Sequence, residues 1–272
     1  MRKLTDDATN AFLLGRAVRW FFAGVTCAVL ATGSCTAAPL ERCPEPTEEP
    51  DLGDHSASAF QQAFKNAPPM ALGLGKDRRR TLATLIARGE DPNACVAGSS
   101  VLTISAISGE LEETRMLIDG GAQVDRPLDS NGGTPLLAAL GMGRYGSADL
   151  LLARGSNPLH RTDGGSTALH QLASVPVTMQ GNERDRAQQV AWAARLLDLG
   201  LVVDARDCRG TTPLLLATAA RNRDLAVYLL SRGADAEARN LRGGSPVDLA
   251  RKLGDPDLMA LFERAKSAEA AR

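Results

Sequence analysis

The chain has 272 residues, 44% hydrophobic and 4% aromatic, with 31 Lys and Arg set against 32 Asp and Glu for a formal charge of -1. That balance excludes a domain whose binding rests on bulk basicity, as nucleic-acid binding does. The scarcity of aromatic rings also argues against a base-stacking surface and leaves leucine and alanine to build the core.

At the N-terminus, Arg2, Lys3, Arg16 and Arg19 precede an apolar run from Trp20 to Ala31 and then small residues, the pattern of an export segment over residues 1–38. A run of 12 residues falls short of the roughly 20 that a spanning helix needs. Weaker flanks lengthen it, so an uncleaved signal anchor stays open beside a cleaved segment, and a buried cytosolic helix is the bland alternative. Two processing sites compete. Leu30 to Cys35 resembles a bacterial lipobox with its Leu displaced, which implies lipidation of Cys35, whereas Cys35-Thr36-Ala37-Ala38 suits an ordinary signal peptidase. Either cut places the mature protein outside the cytoplasm, in the periplasm or tethered to a membrane through this segment alone. Residues 39–56 then turn to Pro, Glu and Asp; such a stretch buries too little apolar surface to offset its ordering entropy and reads as an acidic tether.

Beyond the tether the chain repeats itself. Gly98, Gly132, Gly165, Gly210 and Gly243 open successive copies at spacings of 34, 33, 45 and 33, and Gly121, Gly155, Gly200 and Gly233 close them. Opening and closing glycines are 23 apart in three copies and 35 apart in the fourth, so both rulers place one insertion of 12 residues between Gly165 and Gly200. In the clearest copy, Thr212 caps a first helix that Pro213 starts, where a missing N–H costs nothing. A second helix from about Asp224 to Arg232 ends at Gly233, the residue best able to take a left-handed conformation. The pairs Leu85-Ile86, Leu117-Ile118, Leu151-Leu152, Leu196-Leu197 and Leu229-Leu230 supply apolar faces that bury themselves only by stacking on neighbours.

The period, with Gly132-Gly133-Thr134-Pro135-Leu136, Gly165-Ser166-Thr167-Ala168-Leu169-His170 and Gly210-Thr211-Thr212-Pro213-Leu214, resembles the ankyrin repeat, a β-turn followed by two antiparallel helices. The resemblance runs from about Phe60 to Phe262 and implies an all-α solenoid of five to six helix-turn-helix repeats joined by β-hairpin loops. Residues 57–97 read as an irregular N-terminal capping unit; repeats follow over 98–131, 132–164, 165–209 with the insertion, and 210–242. Residues 243–272 form a C-terminal cap whose second helix starts at Asp255-Pro256. The copy at Gly98 lacks the proline and carries Ser105 and Ala106, which predicts lower local stability.

Chemistry is sparse. His55, His160 and His170 are scattered, and His170, one after the Leu as in the family, is expected to brace its own turn by a hydrogen bond. No nucleophile elbow, HExxH, Walker loop or CxxC pair occurs, so neither an enzyme nor a cofactor nor a metal is expected. Cys95 and Cys208 fall on hairpins three repeats apart. At about 8 to 10 Å per layer that is near 30 Å, beyond the roughly 7 Å reach of a disulfide. Cys43 on the tether reaches Cys95 instead, and an oxidising periplasm would allow that bond.

The hairpins carry Arg126, Arg161, Arg206 with Arg209, and Arg239 with Arg242. Hairpins that project alike would align these side chains along the edge of a concave face, a strip suited to the carboxylates of an acidic protein segment. The competing reading is solubility, with Asp125, Asp129, Asp163, Asp207 and Glu237 close enough to neutralise them. The insertion, about Val175 to Arg186, is read as a loop between the helices of its repeat, and such loops often lie on a binding face. Trp192 just beyond it either packs beneath the loop or anchors a partner. The resemblance as a whole implies a non-enzymatic protein-binding module of a bacterial envelope, with toxin-immunity proteins and accessory factors of envelope enzymes among such proteins.

Overall fold

The computed structural model describes residues 75–96, 99–128, 131–175 and 183–270. The export segment, the tether, Cys35, Cys43, His55, Gly98 and Asp129 lie outside these residues, as does the capping unit before Gly75. Within them the order is α1 (Gly75–Ala87), β1 (Cys95–Val96), β2 (Ser99–Ser100), α2 (Val101–Ser108), α3 (Leu111–Asp119), α4 (Pro135–Gly141) and α5 (Tyr145–Ala153). It continues with α6 (Ala168–Ala173), α7 (Glu183–Asp198), α8 (Pro213–Ala219), α9 (Arg223–Ser231), α10 (Pro246–Leu253) and α11 (Pro256–Ala270).

The first helices of the repeats, α2, α4, α6, α8 and α10, touch one another in that order, and the second helices, α1, α3, α5, α7, α9 and α11, form a parallel row. This is the all-α solenoid that the repeat period predicts. Local chemistry starts each inner helix. The hydroxyls of Ser100, Thr134, Thr212 and Ser245 accept the N–H three residues on, and Pro135, Pro213 and Pro246 occupy the first helical turn. Ser100 does this without a following proline, and buried Ser105 joins its helix to α3 through the Thr114 hydroxyl at 2.9 Å. Asp255 caps α11 by accepting the N–H of Leu258 at 3.2 Å.

A single core threads the array. In each Leu-Leu-type pair only the first member is fully turned inward: Leu117, Leu151, Leu196 and Leu229 are wholly buried, while Ile118, Leu152, Leu197 and Leu230 flank the core half-buried. A helix rotates about 100° per residue, so two adjacent positions cannot share one seam. Leu102, Leu136, Leu169 and Leu214 fill the matching positions on the inner row.

Two expectations change. Residues 183–186 are helical rather than part of a loop: α7 has 16 residues where α3, α5 and α9 have nine, so much of the insertion lengthens a second helix. Residues 176–182 lie outside the described part, and Val175 is buried. Trp192 is 5% exposed and sits in the core, with the Arg195 guanidinium 4.9 Å from its ring centroid. It therefore packs within the array and is not available to anchor a partner.

Candidate functional site

The hairpins build one continuous edge. Each closes on itself through a backbone bond, Leu128 N–H to Gly133 O, Thr162 N–H to Ser166 O, Asp207 N–H to Thr211 O and Asn240 N–H to Gly244 O. Among the described residues only Cys95–Val96 and Ser99–Ser100 pair as strands, with Cys95 opposite Ser100. Successive tips are also joined: the N–H groups of Asp163, Cys208 and Leu241 donate to the carbonyls of Asn131, Gly164 and Arg209 at 2.8 to 2.9 Å. These bonds hold the hairpins side by side, pointing the same way.

Arg161, Arg206 and Arg239 each stand four residues before the glycine that closes their hairpin, and each places Nη1 on that glycine's carbonyl, at 3.0, 3.4 and 2.5 Å. The same Nη1 then reaches forward, from Arg161 to the carbonyl of Arg206 at 3.4 Å and from Arg206 to that of Arg239 at 2.7 Å. Arg239, the last of the series, pairs instead with Asp248 of α10 at 2.9 Å. A guanidinium offers donors in a fixed fork, which lets one nitrogen serve the carbonyls of two adjacent hairpins. All three side chains remain exposed.

The other arginines do not share this register. Arg126 stands six residues before Gly132 and turns back to the carbonyl of Asn93 in the preceding repeat, at 3.1 Å; it is half-buried, and among the described residues its Nε has no hydrogen-bond partner. Arg209 folds onto Asp207, whose buried carboxylate also accepts the N–H groups of Arg209 and Thr211. Arg242 is exposed. The edge ends at a cleft of about 430 Å³ between Leu215 of α8 and α10, with Leu249 as apolar floor and Ser245, Asp248, Arg251 and Lys252 around it. There Asp248 sits between Arg239 and Arg251, and its carboxyl is held below the usual range, first by the Ser245 hydroxyl and then by Arg239.

Both described histidines serve the scaffold. The Nε2 of His160 lies 2.8 Å from the carbonyl of Gly132. His170 accepts the Thr167 N–H on Nδ1 at 3.2 Å and directs Nε2 at the Thr211 carbonyl, 3.0 Å away in the next repeat. The brace expected within one turn thus also ties two repeats together, and burial pushes the imidazole pKa down. No group of three or more His, Cys, Asp or Glu with metal-binding geometry occurs among the described residues. Cys208 is exposed, and its thiol donates to the Asp163 carbonyl at 3.8 Å. Cys95 is disulfide-bonded.

Features that sequence inspection missed lie between repeats. The Gln189 amide donates to the Leu172 carbonyl at 2.6 Å and accepts from Asn222 at 2.7 Å, a buried link between α6, α7 and α9. On the outer row, Arg154 pairs with Asp119, Arg195 with Asp149, Arg232 with Asp198 and Arg223 with Asp257. The guanidinium ladder had a visible signal: an Arg four residues before Gly165, Gly210 and Gly243.

Two family models match the chain, one described as ankyrin repeats (3 copies) over residues 75–162 and one described as ankyrin repeat over residues 209–241. The unit carrying the insertion falls between them, yet α6 and α7 keep their places in the two rows. The chain is also similar to the ADP-ribosylation factor GTPase-activating protein AGD4 of Arabidopsis thaliana, 30% identical over 95 residues, a match that spans 35% of this chain and 12% of that protein. No described helix is long and apolar enough to cross a membrane. Two rows of stacked helices, capped inner helices and a hairpin edge agree with these matches: the chain carries ankyrin repeats, a module for protein–protein interaction.

Proposed function

We propose that the protein is a non-enzymatic binding module of a bacterial cell envelope, which holds an acidic segment of a partner protein along its hairpin edge. The observation that carries this reading is the alignment of exposed Arg161, Arg206 and Arg239 on consecutive hairpins, with Arg209 and Arg242 beside them. Arg126 contributes only to the inner scaffold. The export pattern over residues 1–38 and the disulfide at Cys95 support an oxidising compartment; Cys43 is the proposed disulfide partner and Cys35 the proposed lipidated residue. Membrane contact runs through the N-terminal segment alone. The segment at 176–182 is a second proposed contact.

The test is capture from envelope extract by crosslinking to the tagged full-length chain. Replacing Arg206, Arg209, Arg239 and Arg242 with glutamate is expected to abolish capture while the helical circular dichroism is retained. Unchanged capture by the folded variant overturns the assignment of this edge. Fractionation and non-reducing peptide mapping test the compartment: a cytosolic protein, or free thiols at Cys43 and Cys95 in exported material, contradicts it.

A further inference from the structure

Arg161, Arg206 and Arg239 spend the same nitrogen, Nη1, on backbone carbonyls. Among the described residues, no hydrogen bond involves Nε or Nη2 of any of the three. Nε–H and one N–H of Nη2 point the same way from a guanidinium and form its side-on edge, which fits a carboxylate with two parallel bonds. Each fork is thus fixed at one corner and open along one edge. Pre-fixing reduces the rotamer entropy that an arginine loses on binding.

The three forks also have a fixed pitch. Arg161 touches the backbone of Arg206, and Arg206 that of Arg239, so neighbouring forks stand one repeat apart, about 10 Å for stacked helices. A peptide in the polyproline II conformation advances about 3.1 Å per residue with about three residues per turn. Every third side chain therefore returns to the same face and meets the next fork, whereas in a β-strand it would point to the opposite face.

We infer that the hairpin edge reads an acidic segment in the extended polyproline II conformation, in which carboxylates recur at every third residue, one for each of Arg161, Arg206 and Arg239. This rests on the protein-binding reading above and adds to it a backbone conformation and a spacing. Asp163 and Glu237 border the strip, Asp207 is buried under Arg209, and Asp248 is shared by Arg239 and Arg251. These carboxylates weaken a merely diffuse attraction and leave the in-register forks as the discriminating feature.

The test uses fluorescein-labelled peptides of Gly and Ser that carry three aspartates at every second, every third or every fourth residue, titrated by anisotropy against the full-length chain at low ionic strength. The every-third peptide is expected to bind about tenfold more tightly than its isomers, the sum of modest gains at three partly exposed pairs. A triple lysine variant, Arg161→Lys with Arg206→Lys and Arg239→Lys, keeps the charge and loses the fork, so it is expected to bind all three peptides alike. Equal affinity of the wild-type chain for the three spacings overturns the inference, and needs no variant to fold. So does tighter binding of a stapled helical peptide with aspartates seven residues apart, which matches the same pitch in another conformation. If spacing preference is absent while glutamate substitution still abolishes crosslinked capture, the binding edge stands and only the extended register falls.

Discussion

The Nε2 of His170 lies 3.0 Å from the carbonyl oxygen of Thr211, one repeat further on, while its Nδ1 accepts the Thr167 N–H. That pair of bonds fixes the neutral tautomer with the proton on Nε2, and a protonated ring would lose the Nδ1 contact. Burial lowers the pKa from its ordinary 6.5. Above 6.5 the ring is neutral in both folded and unfolded chains and contributes no pH dependence. Below it the unfolded chain takes up a proton that the folded chain resists, so stability falls as the pH drops toward the folded-state value. Urea midpoints at neutral and mildly acidic pH are expected to show this fall in the wild-type chain and a smaller one in His170→Gln. Identical pH profiles would contradict the buried, neutral assignment.

Leu214 is wholly buried at the junction of α8 with its neighbours, whereas Leu241 at a hairpin tip is 80% exposed. Leu214→Ala is expected to cost about 2 to 5 kcal/mol through lost burial and the cavity left behind. Leu241→Ala should change stability by less than about 0.5 kcal/mol. Denaturant unfolding of the two variants side by side checks the register of the stack.

Arg221 has φ 55 at the turn between α8 and α9, where the corresponding turns use Gly109, Gly143 and Gly254 at φ 80, 64 and 59. A side chain there costs about 1 kcal/mol or more. Its contact with Asp255 at 3.4 Å is partly exposed and returns less than that. Arg221→Gly is therefore expected to raise the unfolding midpoint. Gly165→Ala should do the reverse, because a Cβ there would stand 3.3 Å from the Cys208 backbone nitrogen in addition to requiring φ 75.

The outer row is tied by exposed ion pairs, Arg195 to Asp149 at 2.8 Å and Arg223 to Asp257 at 2.7 Å among them. Each contributes about 0.2 to 1 kcal/mol and is screened by salt. Asp149→Asn is expected to lower stability within that range in dilute buffer, with the deficit shrinking as sodium chloride is raised. A deficit that persists at high salt would assign the effect to packing of Arg195 on Trp192 instead.

Sequence alone determined the period, the helix starts at Thr212 and Asp255, the glycines that close each unit, the place of the insertion and the set of leucines from which the core is drawn. Those features are legible because capping, proline placement and left-handed glycine act between residues a few positions apart. Tertiary structure alone decided which leucine of each pair turns inward, that the insertion lengthens α7, that Trp192 faces the core, and that Arg126 leaves the register kept by Arg161, Arg206 and Arg239. It also turned Arg161 and Arg206 from loose surface charge into brackets between hairpins, and Arg239 into a link from the last hairpin to α10. The reason is distance along the chain: the bond from Arg206 to Arg239 spans 33 residues and that from Arg161 to Arg206 spans 45. Contacts of that kind exist only once neighbouring repeats have stacked and brought their carbonyls within reach of the same fork.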